Sequence, residues 1–202
     1  MQKKLILACM AIAALAAFVI APAAQAGVLT ENGVAVAVGS SITAKNTGTI
    51  KFTGGFNISC EVAHMQGTVT ANSGGVIAGE VPVGSATLSN AGGAACSSAL
   101  GATTVKITSK LCVSIAKGSD TYTVTGCSAN VKFDLTAAGT VCEYETASVS
   151  GSFTTNSTPV SGTVSEQPAK EVGGKFFCPD EGKIDLSGWA YTTGGVTGLT
   201  VS

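Results

Sequence analysis

The sequence predicts an all-β protein, an antiparallel β-sandwich of immunoglobulin-like or jelly-roll-like type held by three disulfides. Three observations carry that expectation. Apolar and polar residues alternate with period two along much of the chain, turn-forming clusters separate the alternating runs, and an even set of cysteines follows an export signal.

The alternating runs are Val34-Ala35-Val36-Ala37-Val38, Thr68-Val69-Thr70, Thr103-Thr104-Val105-Lys106-Ile107-Thr108, Thr121-Tyr122-Thr123-Val124-Thr125 and Val131-Lys132-Phe133-Asp134-Leu135. Side chains on a strand point to opposite faces in turn, so such runs bury one face and leave the other in water. Gly54-Gly55, Asn72-Ser73-Gly74-Gly75, Asn90-Ala91-Gly92-Gly93, Gly118-Ser119-Asp120, Asn156-Ser157-Thr158-Pro159 and Gly194-Gly195 are the turns between them. After Ala26 no segment keeps a helical repeat for three turns.

At the start, the basic Met1-Gln2-Lys3-Lys4, the apolar stretch Leu5 to Ile20 and the small-residue site Ala24-Gln25-Ala26 follow the order of a secretory signal. Cleavage is expected between Ala26 and Gly27, leaving residues 27–202 as one domain outside the cytoplasm, secreted or at the cell surface. The apolar run is short for a membrane anchor, and too little apolar chain precedes Cys9 for lipoprotein processing. With Cys9 removed, Cys60, Cys96, Cys112, Cys127, Cys142 and Cys178 remain. An even set in an exported chain is a disulfide framework, and with His64 as the single histidine a zinc cage lacks ligands.

A two-residue turn at Ser119 and Asp120 would set Cys112 opposite Cys127 in a hairpin over 111–127. Cys60 to Cys96 and Cys142 to Cys178 share one separation, 36 residues, and Cys60-Glu61-Val62 is echoed by Cys142-Glu143-Tyr144. The expected pairing is therefore Cys60–Cys96, Cys112–Cys127 and Cys142–Cys178, with two related modules, about 50–100 and 130–186, flanking the hairpin.

Charge and composition exclude some functions. The net charge of −1 becomes −3 when Lys3 and Lys4 leave with the signal, and arginine is absent, so nucleic acid is not an expected partner. No cofactor motif is present and no catalytic set is predicted. His64 lacks a nucleophile and an orienting group around it, and is expected to be a solvent-facing strand residue. Glu143 and Glu145 share a strand face about 7 Å apart, a spacing used by some glycosidases; a solvated strand face is the preferred account, and Trp189 is the one tryptophan that could stack on a sugar. Asp180, Glu181 and Asp185 are candidate calcium ligands, although the spacing is not an EF-hand and Lys183 lies among them; an acidic turn is preferred. The sequons at Asn57 and Asn156 matter only in a glycosylating host, and the signal is bacterial in type.

Lys51-Phe52-Thr53-Gly54-Gly55-Phe56-Asn57-Ile58-Ser59-Cys60, Gly67-Thr68-Val69 and the later cysteine-bounded strands resemble small secreted bacterial β-proteins of the alkane-oxidation-activator type. The resemblance implies a surface or biofilm-associated exported protein that aids contact with hydrophobic substrates, and it brings no catalytic residue with it. Gly188 stands where a pilin C-terminal motif would place it, but Val201 replaces the aromatic penultimate residue. The terminal segment 28–38 is expected to pair in its own sheet; the alternative is self-association along a neighbour's edge.

The expected function is non-enzymatic: an adhesin, biofilm or filament subunit working with cell-surface or extracellular-matrix components. The alternative is a secreted module binding a small hydrophobic or carbohydrate ligand between its sheets, and the third option is a glycan hydrolase.

Overall fold

Four of the five alternating segments lie in strands; of the fifth, Val34 to Val38, only Val34–Ala35 is a strand, and the chain turns at Val38-Gly39. In the computed structural model of the chain, residues 27–46, 48–116, 121–153, 161–192 and 199–201 are described. The predicted signal 1–26, Ser119, Asp120 and Asn156 lie outside the described residues, as does the side chain of Trp189. In chain order the strands are β1 (Leu29–Glu31), β2 (Val34–Ala35), β3 (Ser41–Asn46), β4 (Ile50–Thr53), β5 (Ile58–Cys60), β6 (Val62–Ser73), β7 (Val76–Val81), β8 (Ala86–Ser89) and β9 (Cys96–Ser98). They continue with β10 (Gly101–Ile107), β11 (Leu111–Ala116), β12 (Thr121–Gly126), β13 (Val131–Ala137), β14 (Thr140–Thr146), β15 (Ser148–Phe153), β16 (Ser161–Glu171), β17 (Glu181–Thr192) and β18 (Leu199–Val201). Apart from one 3₁₀ turn at Ala91–Gly93, every described element is a strand, and every pairing is antiparallel.

The expected sandwich gives way to a closed barrel. β3, β6, β7, β11, β12, β15, β16 and β17 are each paired to the next, and β17 pairs again with β3, so the ring of eight has no free edge. Long strands that change neighbours part-way cause the closure. β17 pairs with β4 through Lys183–Leu186 and with β3 through Trp189–Thr192. β16 passes from β15 to β14 in the same way, with register shifts on its β17 side between Gly162 and Gln167. Bulges bend a strand and raise its twist, which turns what would be two layers into one continuous wall. The remaining strands run from β17 through β4, β5, β9, β10, β13 and β14 back to β16, with β8 tying β10 to β6. Strands from 50–100 and 130–186 therefore share one sheet, directly through β4 with β17.

The three disulfides join the partners expected from the spacing: Cys60–Cys96, Cys112–Cys127 and Cys142–Cys178. Such bonds suit an oxidising compartment. The hairpin register differs from expectation, because Cys112 stands opposite Thr125 and Leu111 opposite Gly126. The observed pairing is centred one residue earlier in the chain than a turn at Ser119 and Asp120 would place it. Cys127 is reached diagonally, with its Cα 4.9 Å from that of Cys112.

Two-residue hairpin turns with both central residues at positive φ match the twist of the strands they join. Asn32-Gly33 and Gly74-Gly75 fill such turns with suitable residues, and Asn72 and Ser73, expected in the turn, extend β6 instead. Ala138, at φ 49°, precedes Gly139 in a third and carries a Cβ where left-handed backbone disfavours one. Ala138→Asn is expected to stabilise the protein by about 0.5–1 kcal/mol, measured as a higher urea midpoint at constant slope.

The terminal segment 28–38, expected to pair in its own sheet, does so through β1 and β2. β1 lies between β2 and β18 in a small three-stranded sheet. Buried Asn72, at the end of β6, clamps it to the barrel: its side chain accepts from the Leu29 amide (2.7 Å) and donates to the carbonyls of Leu29 and Val36 (2.8 Å each). Asn72→Ala removes all three bonds, and the Leu29 carbonyl keeps only its bond from the Val36 amide (2.9 Å) among those described. A loss of about 1–3 kcal/mol is expected, together with faster amide exchange confined to 28–38.

Candidate functional site: an apolar cavity inside the barrel

The interior of the eight-stranded ring is not filled. A cavity of about 200 Å³ lies inside it, and each of the eight strands contributes inward residues to its wall. Ile42 and Ala44 come from β3, Met65 and Val69 from β6, Ile77 and Val81 from β7, and Leu111, Val113 and Ile115 from β11. Tyr122 and Val124 of β12, Val149 of β15, Val164 of β16 and Ile184 of β17 complete the circuit. Leu29 of the clamped N-terminal segment also borders it.

The void follows from the residue types at inward positions. An eight-stranded barrel has an interior just wide enough for side chains to fill or for one small ligand. Here Gly67 stands inward between Met65 and Val69, and Gly79 inward between Ile77 and Val81, so two neighbouring strands each omit a side chain at mid-barrel. Both glycines are also required by the backbone. A Cβ on Gly67 would meet the Glu80 carbonyl oxygen at 2.7 Å, and one on Gly79 would meet that of Thr68 at 3.2 Å. Close approach of β6 and β7 thus comes with an unfilled interior beside them.

The wall offers almost no polarity. The Tyr122 hydroxyl is already committed, donating to the Thr163 carbonyl at 3.2 Å. Glu80 borders the space, but its carboxylate pairs outside with Lys110 at 2.5 Å, both side chains being well exposed. Such a site suits an uncharged apolar molecule.

Phe52, Phe133 and Tyr144 form an aromatic row, with ring centroids 5.5 and 5.6 Å apart. Phe52 and Phe133 face the cavity, and the Tyr144 hydroxyl donates to the Pro179 carbonyl at 2.9 Å. Burial, then the carboxylates of Glu171 and Asp180, push the Tyr144 pKa from 10.0 up to about 12. Because the folded-state value is the higher one, stability due to neutral Tyr144 is intact below pH 10 and is lost as pH rises through about 12. Tyrosinate absorbance should therefore show a late-titrating component that accompanies alkaline unfolding and is lost in Tyr144→Phe.

The residues singled out by sequence lie elsewhere. His64 sits on β6 between inward Ala63 and Met65, facing out as expected of a strand histidine. Glu143 and Glu145 lie on the outer face of β14 and meet lysines, Lys175 at 3.9 Å and Lys132 at 3.8 Å, away from the cavity. The candidate calcium ligands do not converge. Asp180 precedes β17, while Glu181 and Asp185 lie four positions apart along it, about 13 Å at strand rise. Among the described residues the one acidic or sulfur cluster tight enough for an ion is Glu80 with Cys112 and Cys127, whose sulfurs are bonded to each other.

Fold and site together define a closed, antiparallel, disulfide-bonded β-barrel with an apolar interior cavity. Comparison with protein-family models, with curated proteins and with solved structures finds no match.

Proposed function

We propose that this is an exported, non-enzymatic binding protein that encloses one small, uncharged apolar molecule within its barrel. The cavity carries this reading. Leaving about 200 Å³ unfilled forfeits on the order of 5 kcal/mol relative to a packed core, comparable with the 5–15 kcal/mol net stability of a typical domain. An apolar occupant recovers part of that loss. A void of about 150 Å³ lined by Leu, Ile and Phe stays dry and takes up benzene, so a single aromatic ring or a short hydrocarbon is the size class. Carbohydrate fits poorly, since each hydroxyl left without a partner costs about 1–3 kcal/mol. Benzene titration tests the reading: the melting temperature should rise with ligand concentration and the benzene proton resonance should broaden. No change in either, up to benzene saturation, would refute it.

A surface-assembly role is favoured by one observation. β2 pairs only with β1 among the described residues, and Val34 on it is 71 % exposed. Association through the edge of β2 predicts sedimentation that shifts with protein concentration and stops shifting in Val34→Lys.

A further inference from the structure

We propose that an apolar ligand enters and leaves the cavity past Leu29, with the small sheet that carries Leu29 as a hinged door and Asn72 as its latch. The inference rests on the binding role of the cavity and adds its route of access. A cavity inside a closed wall exchanges its contents only when part of the wall opens, and the part that opens is the one with the lowest local unfolding free energy.

Leu29 is unlike the rest of the wall. Every other lining residue sits on a strand of the fifteen-stranded sheet, whereas Leu29 sits on β1, whose ladder partners are β2 and β18. Among the described strands no ladder pairing joins those three to the large sheet. Leu29 can therefore withdraw without breaking a bond of the ring. The strands that line the cavity from outside the ring, among them β4 with Ile50 and Phe52 and β13 with Phe133, have no such freedom.

Side chains hold the door shut instead. Leu29 and Val36 are buried while Asn32 to Ala35 between them are exposed, and the Asn72 side chain fastens the backbone of both buried residues. A hydrogen-bonded latch holds the closed position firmly yet opens at modest cost, because water replaces each bond as it breaks. The hinge lies on the β3 side. Gly39, at φ 93°, has open space where a Cβ would stand, and glycine tolerates large backbone rotations. Beyond it the chain is pinned to the ring: the Gly39 amide donates to the Val69 carbonyl at 2.8 Å and the Val69 amide to the Ser40 carbonyl at 2.9 Å. Rotation at Gly39 thus lifts Leu29 from the mouth at the β6–β7 turn, where Gly27 packs on Gly75, and leaves the ring intact.

Iodoacetamide labelling of Val69→Cys, followed by mass spectrometry at position 69, tests the proposal. Val69 is buried on the cavity wall and the six cysteines of the barrel are bonded, so the new thiol reports entry of a small neutral molecule. Labelling should depend only weakly on urea, as a local opening does. Adding Asn72→Ala should raise its rate roughly 10-fold or more. Asn46→Ala removes a comparable clamp, to the Ala63 amide and the Glu61 carbonyl at 2.7 Å each, away from the door, and should leave the rate unchanged. The proposal is overturned if Asn72→Ala does not speed labelling, if Asn46→Ala speeds it equally, or if labelling of Val69→Cys alone rises with urea as steeply as global unfolding. That last comparison decides the matter even where Asn72→Ala fails to fold. Labelling needs no ligand, so a door that opens in a protein without benzene uptake removes the binding role alone, and benzene uptake with latch-independent labelling removes the door alone.

Discussion

Val113→Phe is expected to raise the unfolding free energy by about 1–2 kcal/mol and to abolish benzene uptake. Val113 lines the cavity from β11, and its cross-strand partners are Gly79 on one side and Val124 on the other. The ring can therefore lie over the glycine, where no side chain competes, and occupy the space reserved for a ligand. A chain of this length should melt about 2–8 °C higher. Val113→Ala is the control in the opposite direction: it enlarges the void, should cost about 2 kcal/mol, and should keep benzene binding. If phenylalanine destabilises the protein instead, no usable space exists beside Gly79 and the binding role loses its support. If it stabilises but benzene still binds, the ligand sits elsewhere.

Removing Cys60–Cys96 is expected to cost about 4 kcal/mol, more than removing Cys112–Cys127, at about 3 kcal/mol. The first bond closes a 36-residue separation and the second a 15-residue one, a difference that the loop-closure relation alone puts at about 0.8 kcal/mol. Burial adds to it. Cys60 and Cys96 are both fully buried where β5 meets β9, so paired alanines there also leave a void in the core, whereas Cys112 and Cys127 are partly exposed. Urea unfolding of Cys60→Ala/Cys96→Ala and Cys112→Ala/Cys127→Ala measures the two costs. The reverse order would show that the hairpin bond, despite its exposure, organises the barrel more than the buried bond does. A loss of about 4 kcal/mol is a large share of the stability of any single domain, and it bears most on one that keeps a cavity.

Local patterns were legible wherever the deciding contacts are local. The runs at Val131 to Leu135 and Thr121 to Thr125 are strands, with Val131, Phe133, Leu135 and Tyr122 inward as their alternation requires. Where distant segments decide, the pattern was silent or misleading. Asn72 looks like a turn residue, and its clamp on Leu29 and Val36 depends on a segment more than thirty residues away. Asp180, Glu181 and Asp185 look like a ligand loop, but an extended strand carries the last two apart. Phe176-Phe177 drew no notice, though an aromatic pair beside Gly173-Gly174 and ahead of Cys178-Pro179, in a segment with turn chemistry, marks apolar residues that no strand can bury.

The sequence by itself determined that the chain is all-β, that six of its seven cysteines form three bonds, and which partners those bonds join. Period-two alternation and cysteine spacing are properties of neighbouring residues and of the chain's own length, so they need no knowledge of the fold. Tertiary structure alone decided that the sheet closes and that its interior stays open. Alternation states which face of a strand turns inward, but not which strand lies beside it; β16 and β17 take two neighbours each along one edge, and that choice makes a barrel where two layers were expected. Gly67 and Gly79 are unremarkable strand residues until β6 and β7 meet, and the missing side chains then fall on one side of one interior.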